Sequence, residues 1–224
     1  LTGYADNAVI NIAIMLLIII GGLGFLTWED VKKHGVHIKR YRTQSKIILV
    51  TTALLIIVPA AYFFFFEFAG EPFGKRLLVS LFQAVTPRTA GFNSVPVSET
   101  SDAAHVLEII LMLIGGSPGS TAGGLKTTTF AILVLASLSV FRKRDDTCVF
   151  KRRISDKTVK TACAVAFMYI ALFIVGGVAI YVAEGKTEGV TMLSALYEAA
   201  SAIGTVGLTL GITPSLGIFS KIVL

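Results

Sequence analysis

The sequence is short of charge. Only 15% of its 224 residues are Asp, Glu, Lys or Arg, against about 25% in a soluble domain. Meanwhile 54% are hydrophobic and the mean hydropathy is +0.78, a balance that argues against a water-soluble globule. Cysteine is nearly absent: Cys148 and Cys163 offer neither a disulfide framework nor metal-ligand spacing. Aspartate is missing from every long apolar stretch, which removes an aspartyl intramembrane protease. No cleavable signal peptide is visible at Leu1, and the chain stops at Lys221-Ile222-Val223-Leu224, inside an apolar run. It is therefore expected to be an internal portion of a longer protein.

What the chain does have is length in its apolar runs. Residues 8–28, 47–66 and 163–183 each match the ~20 residues that a bilayer crossing needs. The cations are unevenly placed. Segment 32–46 holds Lys32, Lys33, Lys39, Arg40, Arg42 and Lys46; segment 142–160 holds Arg142, Lys143, Arg144, Lys151, Arg152, Arg153, Lys157 and Lys160. Those two loops carry 14 of the 20 Lys and Arg residues, so the positive-inside tendency makes both cytoplasmic. Asp6, Glu67, Glu71, Glu99, Asp102, Glu184 and Glu188 fall in the loops of the other side. The net charge of +6 thus reads as topology. No nucleic-acid partner is expected, because no soluble fold is visible to carry such an interface.

Thr89-Ala90-Gly91-Phe92 and Thr205-Val206-Gly207-Leu208 lie 116 residues apart, each closing a short apolar stretch between two long spans. The stretches, Leu77 to Thr86 and 191–203, are too short to cross, which fits re-entrant pore helices. Non-helical backbone at membrane depth is tolerated only where it lines a wet cavity, and ion filters use such backbone to aim carbonyls at a dehydrated cation. Glycine permits backbone conformations that a side chain would block. The same offset carries Ile47 to Cys163, where the matching span begins. Internal repetition of this kind is common in transport proteins.

The expected fold class is all-α, a polytopic membrane protein built of repeated helix–pore helix–filter–helix units. Residues 1–31 would be the second membrane helix of a preceding unit and 32–46 a cytoplasmic basic loop. A complete unit with filter and broken inner helix would occupy 47–142, followed by a second cytoplasmic basic loop at 143–162. The last unit, 163–224, would be truncated in its final helix. A ring of four filter segments would need two more, before Leu1.

The stretch 104–141 is about twice the length of one crossing and contains Gly115-Gly116-Ser117-Pro118-Gly119-Ser120-Thr121-Ala122-Gly123-Gly124. At ~1.5 Å per residue from Ala104, Gly115 falls ~17 Å down, near mid-bilayer. Proline and clustered glycine break a helix there, and a break under the filter suits a mobile plug. Glycine-mediated helix packing is the plainer alternative.

Thr86-Pro87-Arg88-Thr89-Ala90-Gly91-Phe92-Asn93, the glycine loop followed by Leu125-Lys126-Thr127-Thr128-Thr129, and Gly204-Thr205-Val206-Gly207-Leu208 together resemble the Trk/Ktr/HKT superfamily of potassium transporters, nearest its bacterial Ktr membrane subunits. The resemblance spans the whole chain. It implies a four-repeat monomer with one glycine per filter segment, a homodimer in the bacterial cytoplasmic membrane, and a cytosolic nucleotide-binding RCK regulatory ring. Nucleotide would then act only through that regulatory subunit. It further implies that the broken helix of the third repeat forms a gating loop, here Gly115, Gly116, Ser117, Pro118, Gly119, Ser120, Gly123, Gly124 and Lys126. The expected cargo is K⁺, held by backbone carbonyls alone around Thr89 to Gly91 and Thr205 to Gly207. Permeation of Na⁺, Na⁺/K⁺ co-transport, and a non-conducting sensor or scaffold stand as the other readings.

Other patterns carry less. Gly115-Gly116-Ser117-Pro118-Gly119 matches the G-x-S-x-G nucleophile pattern, but that needs a strand–turn–helix setting and a histidine; His105 stands twelve residues back, ~18 Å away if helical. No enzyme is expected. Gly119 to Lys126 fails as a phosphate-binding loop because Leu125 intrudes and no strand precedes it. His34 and His37 lie among cations that repel a metal, and Phe63 to Phe66 suit lipid-facing packing. Glu198, inside the second pore helix, needs a reason for its charge: it orients the filter through hydrogen bonds, pairs with a cation, or, least in keeping with carbonyl chemistry, ligates the ion. Lys126 either occupies the cavity or snorkels toward the cytoplasm. Arg88 is expected to point away from the ion path and to bond the pore-helix carbonyl end, Glu108 or Glu198.

Overall fold

The structure, a computed structural model, describes residues 2–144, 146–150, 152–185, 187 and 189–224. Lys151 and Glu188 of the loop charges lie outside the described residues, as does Leu1. The fold is mostly helical. Helix α1 is Ala8–Gly22 and α2 is Phe25–His34; α3 runs Thr43–Tyr62 and continues in a π-helical turn over Phe63–Glu67. Then come α4 (Phe73–Val85), α5 (Asp102–Leu113) and α6 (Thr127–Phe141). A small antiparallel ribbon pairs β1 (Cys148–Val149) with β2 (Arg152–Arg153). The chain ends with α7 (Asp156–Glu184), α8 (Met192–Ile203) and α9 (Ile218–Val223).

Helix starts follow from side chains that satisfy the first free N–H groups. Asn7 accepts from Ile10 N at 3.2 Å, Ser101 Oγ from Ala104 N at 3.2 Å, and Ser155 Oγ from Thr158 N at 3.3 Å. Thr191 and Ser194 bond reciprocally across the start of α8, a capping box. Among the described residues, Thr43–Glu67 and Asp156–Glu184 are long and apolar enough to cross a membrane. Helix α7 packs on α8 and α9, α3 on α4 and α6, and α5 on α8. Phe167, Met168, Leu172, Val175 and Val182 stay exposed on α7. An apolar face of that size would be a liability in water and is ordinary against lipid.

Three expected segments are corrected, the first basic loop being shorter than 32–46 because Lys32 and Lys33 fall in α2 and Lys46 in α3. The span 8–28 is not one helix: α1 and α2 meet at a bend of 98°. The cause is the run Gly21-Gly22-Leu23-Gly24, where Gly24 adopts φ +78° and a Cβ there would overlap the Pro118 carbonyl oxygen. The second basic loop is shorter than expected, because the Ser155 cap starts α7 at Asp156 and draws Lys157 and Lys160 into helix. The interruption of 104–141 is present, with α5 ending at Leu113 and α6 beginning at Thr127.

Candidate functional site

The short helices α4 and α8 each end at a turn with the same unusual backbone. Thr89 has φ +65° and Gly91 φ +71°; 116 residues on, Thr205 has φ +54° and Gly207 φ +87°. A β-branched residue at positive φ is rare and costs about 1–3 kcal/mol, so its recurrence at the matching position marks a shared construction. Ala90 and Val206, between them, are not left-handed. Such alternation departs from an extended strand, in which φ stays negative at every residue. Among the described residues, no hydrogen bond is accepted by the carbonyls of Thr89, Ala90, Gly91, Thr205, Val206 or Gly207.

Each turn is held from behind. In the first, Thr86 O accepts from Ala90 N and Gly91 N, both at 3.2 Å, and the Thr86 hydroxyl donates to Phe92 O at 2.6 Å. In the second, Ser201 O accepts from Val206 N at 2.8 Å and Ser201 Oγ from Gly207 N at 3.1 Å. Val206 and Leu208 bury their side chains against Met112, Tyr197 and Ala200, while Thr205 and Gly207 are exposed. The two turns also touch. A Cβ on Gly91 would overlap the Val206 carbonyl oxygen, whereas one on Gly207 would meet open space.

The segment between α5 and α6 folds back under the second turn. Gly115 N donates to Leu125 O and Leu125 N to Leu113 O, both at 3.0 Å, closing the neck of the loop. Thr127 N donates to Gly116 O at 3.0 Å, and the buried Ser117 hydroxyl accepts from Thr127 Oγ1 at 3.1 Å. That bond and burial leave Ser117 no nucleophile setting. At its tip the loop meets the α1–α2 bend: Ser117 N donates to Gly22 O at 3.0 Å and Phe25 N to Gly119 O at 3.1 Å. Its far limb meets the second turn, where a Cβ on Gly123 would overlap the Thr205 hydroxyl oxygen. Ser120 Oγ donates to Ser117 O at 2.6 Å, Gly124 sits at φ +68°, and Pro118 is half-buried. Lys126 Nζ donates to Ala122 O at 2.6 Å, within the loop.

Of the three supporting residues, Glu198 takes the hydrogen-bonding role expected of it, whereas Arg88 makes none of its expected bonds. Arg88 is buried, yet its guanidinium makes no hydrogen bond or ion pair among the described residues. It lies among Ile18, Ile19, Gly22, Val85 and Gly116. The expected pairing with Glu108 or Glu198 is thus corrected, because both carboxylates are engaged elsewhere. Fully buried Glu108 accepts from Gln83 Nε2 at 2.5 Å and from the Tyr197 hydroxyl at 2.6 Å, joining α4, α5 and α8. Glu198 accepts from Thr209 Oγ1 at 2.6 Å, Leu210 N at 3.1 Å and Thr213 Oγ1 at 2.7 Å, which fixes the chain leaving the second turn.

The sequence reading missed the α1–α2 bend as a partner of the loop, and missed Gln83 and Tyr197 as partners of Glu108. Three glycines in the four residues Gly21 to Gly24 were the available signal for the first. A buried glutamine and tyrosine on facing short helices carry no comparable pattern.

The family model for TrkH, a cation transport protein, matches residues 1–224. The potassium/sodium uptake protein NtpJ of Enterococcus hirae is 38% identical over 97% of this chain and 49% of its own length. The Ktr system potassium uptake protein B of Bacillus subtilis is 33% identical over 100% of this chain and 51% of its own. In structure, the potassium transporter TrkH of Vibrio parahaemolyticus superposes with a TM-score of 0.77 at 23% identity, over 99% of this chain and 49% of that one. The chain spans about half the length of these relatives. A match across the full chain together with relatives above 30% identity places it among transporters rather than in an enzyme class: the chain belongs to the TrkH family of cation transport proteins.

Proposed function

We propose that this chain forms part of a K⁺ uptake pore in the bacterial cytoplasmic membrane, working passively or in coupled fashion. One observation carries the reading. Two turns 116 residues apart share left-handed residues at Thr89 and Thr205 and at Gly91 and Gly207, and their carbonyls accept no hydrogen bond among the described residues. Carbonyls left without hydrogen bonds in such turns can replace the water of a dehydrating cation. The C-terminal ends of α4 and α8 point partial negative charge at the same place, which favours a cation there.

In this reading 47–142 is one complete unit, 163–224 most of the next and 1–31 the end of an earlier one, and further filter segments of a longer protein close the ring. The loop Gly115 to Lys126 is the gate. Its contacts with Gly22, Phe25 and the Thr205 side chain hold it beneath the filter, and ion passage requires those contacts to part. The family resemblance adds a homodimer and a nucleotide-binding RCK ring on the cytosolic side. A Na⁺-permeable or Na⁺/K⁺ co-transporting variant of the same pore is the second reading, favoured by the potassium/sodium uptake relative.

The test is growth of a potassium-uptake-deficient strain on low K⁺ with the full-length protein, paired with rubidium and sodium flux into liposomes. Restored growth with rubidium flux well above sodium flux is the expected result. Purified, folded protein that moves neither ion would overturn the reading, and equal flux of both would select the second one.

A further inference from the structure

Away from the filter and the loop, a groove runs between α3, α5 and α6. It has a volume of about 560 Å³, with walls that include Leu54 and Val58 of α3, Ile110 of α5, Ala131 and Val134 of α6, and Phe150 of the ribbon turn. Most of these side chains are exposed. At one end, Ile47 and Val149 also wall a second depression of about 410 Å³. There the lining turns polar and basic, with Thr43, Gln44, Arg152 and Arg153, and it includes no carboxylate. The two adjoin at Ile47 and Val149 to make a trough that is apolar along the helices and cationic at the basic loop.

We propose that this trough binds one anionic phospholipid, with an acyl chain between α3 and α6 and the phosphate at Arg152 and Arg153. Leu54 and Val58 of α3, Ile110 of α5 and Val134 of α6 leave exposed apolar surface on the groove, and in the membrane reading such a recess between α3 and the broken inner helix is filled by hydrocarbon. The basic end lies on the side assigned to the cytoplasm, the leaflet that carries the anionic lipids, and basic pockets between helices on that side suit anionic headgroups. Arg153 is already shared with Asp146 at 2.8 Å and Asp156 at 3.6 Å. Arg152 makes no ion pair among the described residues, so its planar fork is open to two phosphate oxygens. Asp146 and Asp156 are taken up by Arg153, and the lining itself offers no carboxylate to the cation of a zwitterionic headgroup.

The ribbon turn supplies a separate observation. Phe150 sits at φ +46°, a strained conformation for a bulky residue, and its ring lines the groove. Lys46 Nζ stands 6.0 Å from the centre of that ring, adding a further cation near the junction. The strained turn therefore sets an aromatic wall and the Arg152–Arg153 pair on one trough.

The experiment uses the full-length protein in nanodiscs, read by native mass spectrometry with phosphatidylglycerol and phosphatidylcholine as probes. Wild type should retain phosphatidylglycerol over phosphatidylcholine by roughly thirtyfold, from two cations near the surface. The double variant Arg152→Gln/Arg153→Gln should bring the two lipids to parity. Ala131→Phe, which fills the groove without changing charge, should lose both; Val134→Phe on the same wall repeats the test should the first fail to fold. Equal retention of the two lipids by wild type would overturn the proposal, as would phosphatidylglycerol retention that neither class of variant moves. Displacement by inorganic phosphate alone would assign the basic end to a free anion. A disulfide-linked dimer from Val134→Cys in a cysteine-free background would assign the groove to a second copy. Either result rejects the lipid.

Discussion

Gly123 lies so close to Thr205 that a Cβ on the glycine would overlap the threonine hydroxyl oxygen. This contact ties the loop after α5 to the second turn, and it exists only because residue 123 has no side chain. Gly123→Val should therefore push the loop off the turn. In the gate reading, ion flux in liposomes rises while the rubidium-to-sodium ratio stays put. Shortening the loop within Gly116 to Ala122 should act the same way. A folded variant with normal or lower flux would count against the gate.

The glycines of the two turns differ in what a side chain would meet. At Gly91 a Cβ strikes the Val206 carbonyl oxygen; at Gly207 it enters open space, with only the cost of φ +87°, about 1–3 kcal/mol. Gly91→Ser should therefore displace a carbonyl of the opposite turn and weaken K⁺ over Na⁺ discrimination more than Gly207→Ser. Competition between sodium and rubidium uptake reads the difference. Equal, wild-type discrimination in both variants would remove these glycines from the ion path.

Glu108 connects the two short helices. It takes hydrogen bonds from Gln83 and Tyr197 at full burial, and a buried donor or acceptor left unpaired costs about 1–3 kcal/mol. Tyr197→Phe leaves one carboxylate oxygen without its donor and should lower the melting temperature of the full-length protein in detergent. Combining it with Glu108→Gln should give a non-additive loss, with a coupling of about 0.5–3 kcal/mol. Strict additivity would mean that the bond contributes nothing to stability.

The backbone architecture was legible because its causes are periodic or punctuated. Apolar length gave α3 and α7, the cation bias gave the loops, and Pro118 with its glycines gave the break between α5 and α6. The bend between α1 and α2 escaped because Gly24 sits within a strongly apolar run, where hydropathy alone sees one span. Side-chain pairing was less legible. Arg88 follows α4, while Glu108 and Glu198 lie on α5 and α8, and pairing by opposite sign was the simplest guess. Neutral donors take the carboxylates instead: Gln83 and Tyr197 bond Glu108, and Thr209 bonds Glu198.

Glu198 offers the clearest separation between a positioning role and an ion-binding one. Its Oε1 holds Thr209 and the Leu210 N–H, its Oε2 holds Thr213, and Gly211 N in turn donates to Thr209 Oγ1 at 2.9 Å. The carboxylate thus fixes 209–213, the chain that leaves Gly207, and three of its lone pairs are taken by protein donors. Thr213→Val removes one of those donors while leaving the charge in place. If Glu198 acts by positioning, Thr213→Val and Glu198→Gln should both slow rubidium uptake and loosen discrimination in the same direction, the glutamine variant more, because it alters several bonds. The apparent K⁺ affinity should shift less than the rate. If Glu198 instead ligates the ion, Glu198→Gln should weaken affinity sharply and Thr213→Val should leave it unchanged. Uptake measured across a range of K⁺ concentrations for both variants decides between them.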